Sequence, residues 1–261
     1  MSRVAIVTGA ARGIGAATVD ALVNDGYRVL AVDRCRDIPE VPYALAAPPD
    51  LDAVVARHGD SVLGLVGDVR SATDMALAVD TVTRHFGRLD AVVAVAGVIA
   101  GGGPLWEMTD AAFDAVWSVN VLGTRRLIEA AIPAMLRDGP RPDGRVVAVS
   151  SAAGLLGLRH LAAYSAAKHA VIGLIRGVAM DLAETGITAN VVSPGSTRTP
   201  ILAASARLYG LDSMDAFVAQ QPIGRLLEPA EPAAMIAWLC SPAASAVTGA
   251  VFAVDGGMTV S

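Results

Sequence analysis

Thr8-Gly9-Ala10-Ala11-Arg12-Gly13-Ile14-Gly15 is the stretch that decides how this chain folds. It follows Val4-Ala5-Ile6-Val7, a short apolar run that suits a buried strand. It leads into Ile14–Asp25, a helical pattern that stops at Gly26, a helix C-cap residue. Glycines between a strand and a helix permit a tight turn. They also let phosphates approach the N–H groups at the helix N-terminus. Gly9, Arg12, Gly13, Ile14 and Gly15 are therefore candidate contacts for a nucleotide phosphate.

The same alternation runs through the chain. Val4–Thr8, Arg28–Asp33, Val62–Asp68, Leu89–Ala96, Arg145–Ser150, Thr188–Ser193 and Val251–Val254 are short and nearly all apolar, as parallel strands covered on both faces are. Helical patterns separate them. Ser71-Ala72-Thr73-Asp74 caps a helix running to His85, and Thr109–Leu136 and Ala162–Thr185 are the longest helical stretches. This order predicts an α/β fold: one doubly wound, Rossmann-type domain over residues 1–261, with a seven-stranded parallel sheet flanked by helices. Two stretches break the pattern. Arg34–Pro49 carries four prolines, which exclude a long helix. Thr197–Gln221 has helical pieces without a strand and reads as a mobile cover over a ligand.

Bulk composition narrows the function. Of 261 residues, 54% are hydrophobic and only 4% aromatic, so Ala, Val and Leu must fill the core. A net charge of −5 argues against nucleic acid and against an anionic membrane surface. The longest apolar run, Ala91 to Gly103, is too short to span a bilayer. Two cysteines, Cys35 and Cys240, suit a reducing compartment, and no signal-peptide layout precedes the first strand. A cytoplasmic protein is expected.

Asp33 ends the second strand about 20 residues beyond the glycines, where an acid binds the ribose hydroxyls of NAD. A 2′-phosphate would face that carboxylate. At ~4 Å and an effective dielectric near ~20, the repulsion costs about 4 kcal/mol. NAD is the expected cofactor, and Arg12 and Arg34 keep NADP open as the less favoured alternative. Asp68-Val69 closes the third strand; it either ends the strand or contacts the adenine.

Tyr164 and Lys168 stand four apart in Ala163-Tyr164-Ser165-Ala166-Ala167-Lys168, so on a helix they share a face. A neighbouring ammonium favours the phenolate and is expected to lower the Tyr pKa from about 10. Such a Tyr can exchange a proton with an alcohol or ketone.

These motifs together resemble the short-chain dehydrogenase/reductase family over essentially the whole length. Thr-Gly-x-x-x-Gly-x-Gly, Asp68-Val69, Ala96-Gly97, Asn120, Ser151, Tyr164-x-x-x-Lys168, Pro194-Gly195 and Asp255-Gly256-Gly257 occur in the family's order. The resemblance implies a catalytic set of Asn120, Ser151, Tyr164 and Lys168. Tyr164 would be the acid/base. Lys168 would tune it and hold the nicotinamide ribose. Ser151, chosen over Ser150 for its spacing to Tyr164, would orient the substrate oxygen. Asn120 would hold a water in a proton relay. Ala96, Gly97, Pro194, Gly195, Thr197 and Thr199 would join the cofactor contacts. A homotetramer is also implied. One departure is Ala94-Val95-Ala96-Gly97, where the family usually has Asn-Asn-Ala-Gly. The other is Arg34–Pro49, an insertion similar to that of a subgroup linked to the redox carrier mycofactocin, which includes carveol-dehydrogenase-like enzymes. In that subgroup NAD is thought to stay bound and to be reoxidised in place.

The implied activity is hydride transfer between NAD and a small, largely apolar secondary alcohol or ketone. An epimerase or dehydratase using transient oxidation is the alternative within the fold; a non-catalytic NAD sensor is a third reading, disfavoured by the intact catalytic set. His58, His85 and His160 lack ligand-spaced partners, so no metal is expected. His169, Cys35 and Gly101-Gly102-Gly103 read as structural, packed and loop residues respectively.

Overall fold

The fold was obtained as a computed structural model, described over residues 2–137, 139–140 and 143–260. The ends of the single-domain assignment, residues 1 and 261, lie outside the described residues. Seven strands are present: β1 Val4–Thr8, β2 Arg28–Asp33, β3 Val62–Val66, β4 Ala91–Ala94, β5 Arg145–Val149, β6 Thr188–Pro194 and β7 Val251–Val254. All pair in parallel in the order β3-β2-β1-β4-β5-β6-β7. Eight α-helices accompany them among the described residues: α1 Gly13–Asn24, α2 Pro48–His58, α3 Ala72–Phe86, α4 Asp110–Trp117, α5 Gly123–Met135, α6 Ala162–Asp181, α7 Pro200–Leu208 and α8 Ala230–Cys240.

Strand alternation builds two cores. Ile6, Leu30, Val92 and Val146 face Met75 of α3, Leu127 of α5 and Ile175 of α6. Ala5, Val29, Val93 and Val147 face the other way, onto Leu22 of α1, Val54 of α2 and Ile236 of α8. Small and branched residues fill both layers, as the scarcity of aromatics requires.

The sheet reverses its winding between β1 and β4, and the crevice at their C-terminal ends is where such sheets bind ligands. Gly9, at φ +67°, makes that crevice possible: a Cβ there would lie 2.7 Å from Ala96 Cα. A Cβ on Gly15 would collide with the Gly9 carbonyl oxygen. Both positions require glycine for backbone approach.

The structure corrects three sequence readings. The Arg34–Pro49 stretch is irregular only to Ala47; Pro48 and Pro49 open α2 instead of opposing it. Proline fits the first helical turn, whose N–H groups have no partner anyway. β3 stops at Val66, because Asp68 turns the chain by accepting a hydrogen bond from Arg70 N at 2.9 Å. The single long helix read over Thr109–Leu136 is interrupted by a π-turn at Ser118–Leu122. That wider turn holds Asn120, and such turns cluster at functional sites.

Candidate active site

One cleft runs across the C-terminal ends of the strands. Every proposed cofactor contact lines it: Gly9, Arg12, Gly13, Ile14, Gly15, Asp33, Asp68, Val69, Ala96, Gly97, Tyr164, Lys168, Pro194, Gly195, Thr197 and Thr199. Ser151 lines it too, while Asn120 lies behind the wall.

At one end, Asp33 is fixed over the glycine turn. Its Oδ2 accepts from Ala11 N at 3.1 Å and its Oδ1 from Cys35 N at 3.2 Å. Carboxylate lone pairs remain for a diol. The two arginines that could have favoured NADP are otherwise engaged. Arg12 donates to Ala44 O at 2.7 Å, and Arg34 pairs with Asp68 at 2.9 Å.

At the other end stand the chemical groups. β5 delivers Ser150 and Ser151, and their roles separate. Ser150 Oγ donates to Lys168 O at 2.8 Å, a buried brace between β5 and α6. Ser151 Oγ accepts from Ala153 N at 3.1 Å, and its hydroxyl faces the Tyr164 phenol closely enough to pull that pKa down. Near the start of α6, Tyr164 and Lys168 lie on one face, with Nζ 5.6 Å from the ring centroid. Lys168 Nζ donates to Val149 O at 3.0 Å.

Asn120 Nδ2 donates to Val98 O at 2.9 Å and Val116 O at 2.7 Å, tying the π-turn to the loop after β4. Its Oδ1 is buried without a hydrogen-bond partner. A Cβ added at Gly97 would lie 2.8 Å from that oxygen and 3.3 Å from Lys168 Nζ. Glycine at 97 thus leaves an orphan acceptor and the Lys168 ammonium on the same side of the backbone.

The electrostatics differ from the sequence expectation. Burial pushes the Tyr164 phenol up to about 12, against the pull of the Ser151 hydroxyl, and the Tyr43 phenol adds to the rise. Burial pulls Lys168 down to about 8. The expectation that Lys168 lowers the phenol counted the pair attraction alone. Desolvation opposes both charged forms and is the largest influence on each of these buried groups.

Other expected features have plain structural roles. His169 Nδ1 lies 2.9 Å from Ser165 O on its own helix. Cys35 is buried and its thiol is pushed up to about 11. Gly102 N donates to His160 O at 3.1 Å, so the triple-glycine loop is a pinned turn. After β4, where the chain lacks the two amides, Thr8 Oγ1 accepts from Ala96 N at 3.4 Å.

Among the lining residues that the sequence reading did not assign to the site, Tyr43 carries a polar group. Tyr43, from the insertion, is 9% exposed and lines the cleft. Its hydroxyl accepts from Ile99 N at 3.1 Å. A lone aromatic in the otherwise aliphatic run Val41-Pro42-Tyr43-Ala44-Leu45-Ala46 was the available signal.

Comparison with known proteins agrees with this geometry. Residues 9–259 match the family described as enoyl-(acyl carrier protein) reductase. The cis-4-hydroxycyclohexanecarboxylate dehydrogenase of Sinomonas cyclohexanicum is 39% identical, covering 98% of this chain and 96% of that protein. The chain belongs to the short-chain dehydrogenase/reductase family. Carveol dehydrogenase from Mycobacterium avium, solved with NAD, superposes with a TM-score of 0.93 at 28% identity, covering 99% of this chain and 98% of that one. An actinorhodin polyketide ketoreductase solved with NADPH superposes at 0.88 and 34% identity, covering 99% and 97%. This short-chain dehydrogenase/reductase scaffold therefore accommodates either cofactor.

Proposed function

We propose that the protein is an NAD-dependent dehydrogenase or ketoreductase acting on a secondary alcohol or its ketone. The observation carrying this reading is Ser151, Tyr164 and Lys168 at one end of a cleft whose other end holds Asp33 above the glycine turn. The glycine turn, Asp33 and Lys168 would hold NAD. Bound NAD⁺ supplies the hydride acceptor and a positive charge.

In alcohol oxidation, Tyr164 Oη as phenolate takes the hydroxyl proton, and Ser151 Oγ donates a hydrogen bond to the same oxygen. Asn120 Oδ1 accepts from a water that passes the proton on. Reduction runs the same residues in reverse. The substrate reading is small and apolar, supported by Leu158, Leu161, Ile201, Leu202, Tyr209 and Phe217 along the cleft. Leu208 does not join them; it packs on Gly102, and Leu211 packs under the cover instead. Tyr209 closes the cover by donating to Arg159 O at 2.5 Å.

The finer part of the proposal concerns residues 34–47. This segment starts one residue after Asp33 and lines the cleft with Ile38, Tyr43, Leu45 and Ala46. Its placement supports a cover that retains NAD, with reoxidation in place by an external carrier of the mycofactocin kind. Mass spectrometry of small molecules released from the purified protein tests the cofactor reading. NAD is expected; NADP, or no nucleotide at all, overturns it.

Lys168→Ala moves the pH profile of oxidation alkaline by about one unit or more, because the ammonium favours the phenolate. The sign follows from the proton balance: oxidation needs the base form of Tyr164, so a higher phenol pKa demands a higher pH. A rate–pH profile that keeps its midpoint in the variant excludes this tuning role.

A homotetramer in the cytoplasm completes the proposal. Met180 (75% exposed), Trp238 (39%) and Val260 (87%) leave apolar surface for subunit contacts. Both thiols are buried and unbridged. Among the described residues no helix is long and apolar enough to cross a membrane. Light scattering at micromolar concentration should give four times the chain mass; a monomer contradicts the assembly.

A further inference from the structure

Arg34 stands at the point where an NADP 2′-phosphate would seek a cation. It follows Asp33 directly and lines the same cleft. By charge alone it should soften the preference for NAD. Its surroundings withhold it. Nη1 donates to Arg36 O at 3.1 Å and to Asp37 O at 2.6 Å. Nε lies 2.9 Å from Asp68 Oδ2, an ion pair without hydrogen-bond alignment. Asp68 is also held by Arg70, whose Nη2 donates to Oδ2 at 2.8 Å and whose Nε donates to both oxygens at 3.1 Å. The Arg34 and Asp68 side chains are only 16% and 19% exposed, so water and salt screen the pair less than a surface bridge.

We infer that Asp68 is a positioning residue for cofactor specificity: its carboxylate holds the Arg34 guanidinium back from the 2′-phosphate position, so the chain discriminates against NADP twice. Asp33 repels the phosphate, and Asp68 removes the cation that would attract it. The inference rests on the NAD reading of the cleft. It assigns the Asp68 side chain a role separate from any adenine contact. The pairing is also releasable. If Arg34 swings away, Asp68 keeps the Arg70 fork, so no carboxylate is left unpaired. Arg34 then has only backbone carbonyls to give up.

The test is a calorimetric titration of NAD and of NADP against wild type, Asp68→Asn, Arg34→Gln and the double variant. In Asp68→Asn the NADP-to-NAD affinity ratio rises about tenfold, the scale of one charge-assisted hydrogen bond to phosphate. Arg34→Gln leaves the ratio at the wild-type value, because the guanidinium was already withheld. The double variant loses the gain. Asp68→Ala repeats the measurement with no side-chain oxygen left at position 68 for Arg34, which keeps only the Arg36 and Asp37 carbonyls. The nucleotide carried through purification provides a second readout, with the NADP share rising in Asp68→Asn only. Equal weakening of both cofactors in Asp68→Asn assigns the carboxylate to the adenine and overturns the inference. A gain that survives in the double variant also overturns it, since loss of the Asp68 charge would then suffice without Arg34. Failure of wild type to bind NAD is a different result, and it removes the cofactor reading itself.

Discussion

Tyr164→Phe lowers turnover of a secondary alcohol by about 10²–10⁴-fold, the usual cost of losing a general acid/base. The substitution deletes one hydroxyl from a fully packed ring that is 8% exposed. The ring keeps its contacts, so the fold survives. The lost contact with the Ser151 hydroxyl costs only about 1 kcal/mol of stability. Cofactor binding, measured separately, should stay within a few-fold of wild type. That combination distinguishes a chemical role from a packing role. A variant retaining more than about a third of the wild-type rate removes Tyr164 from the proton-transfer step. Ser150→Ala is the informative companion: Ser150 braces Lys168 O, so it should act on stability before it acts on chemistry.

Shortening the segment at 36–46 speeds NAD release and changes which oxidant the enzyme needs. Wild type given only extra NAD should approach a single turnover, and an artificial dye acceptor should restore many. The physical reason is the number of points at which the segment is tied down. Tyr43 reaches Ile99 N, Arg12 reaches Ala44 O, and Asp37 accepts from Leu45 N at 2.7 Å. Prolines at 39 and 42 reduce the entropy that closing costs. Interactions of this kind act mainly on the off-rate. Tyr43→Phe, which removes one tie and keeps the ring, should give an intermediate release rate. A stopped-flow chase with unlabelled NAD measures all three proteins. Fast exchange in wild type, unchanged on shortening, would falsify the cover and leave an ordinary surface segment.

The two predictions concern residues that were legible to different degrees. Tyr164 and Lys168 are local: four residues apart on one helix, their shared face follows from helix geometry alone. Tyr43 meets its partner 56 residues later in the chain, and no local pattern encodes that meeting.

The sequence by itself determined the strand count, their parallel order of use, the glycine turn and the acid that ends β2. These depend on apolar periodicity and on glycine's freedom, which act within a few residues. It also marked Ser151 through spacing. Tertiary structure alone decided four things. Pro48 and Pro49 became a helix start, with Asp50 in the first turn accepting a hydrogen bond from Ala47 N. Asn120 gained its orphan acceptor because a π-turn offsets α4 from α5. Arg34 was paired with Asp68, which arrives from the turn after the next strand, β3. The Tyr164 phenol rose where the sequence predicted a fall, because desolvation is set by everything that surrounds a group, while the pair attraction is set by one neighbour.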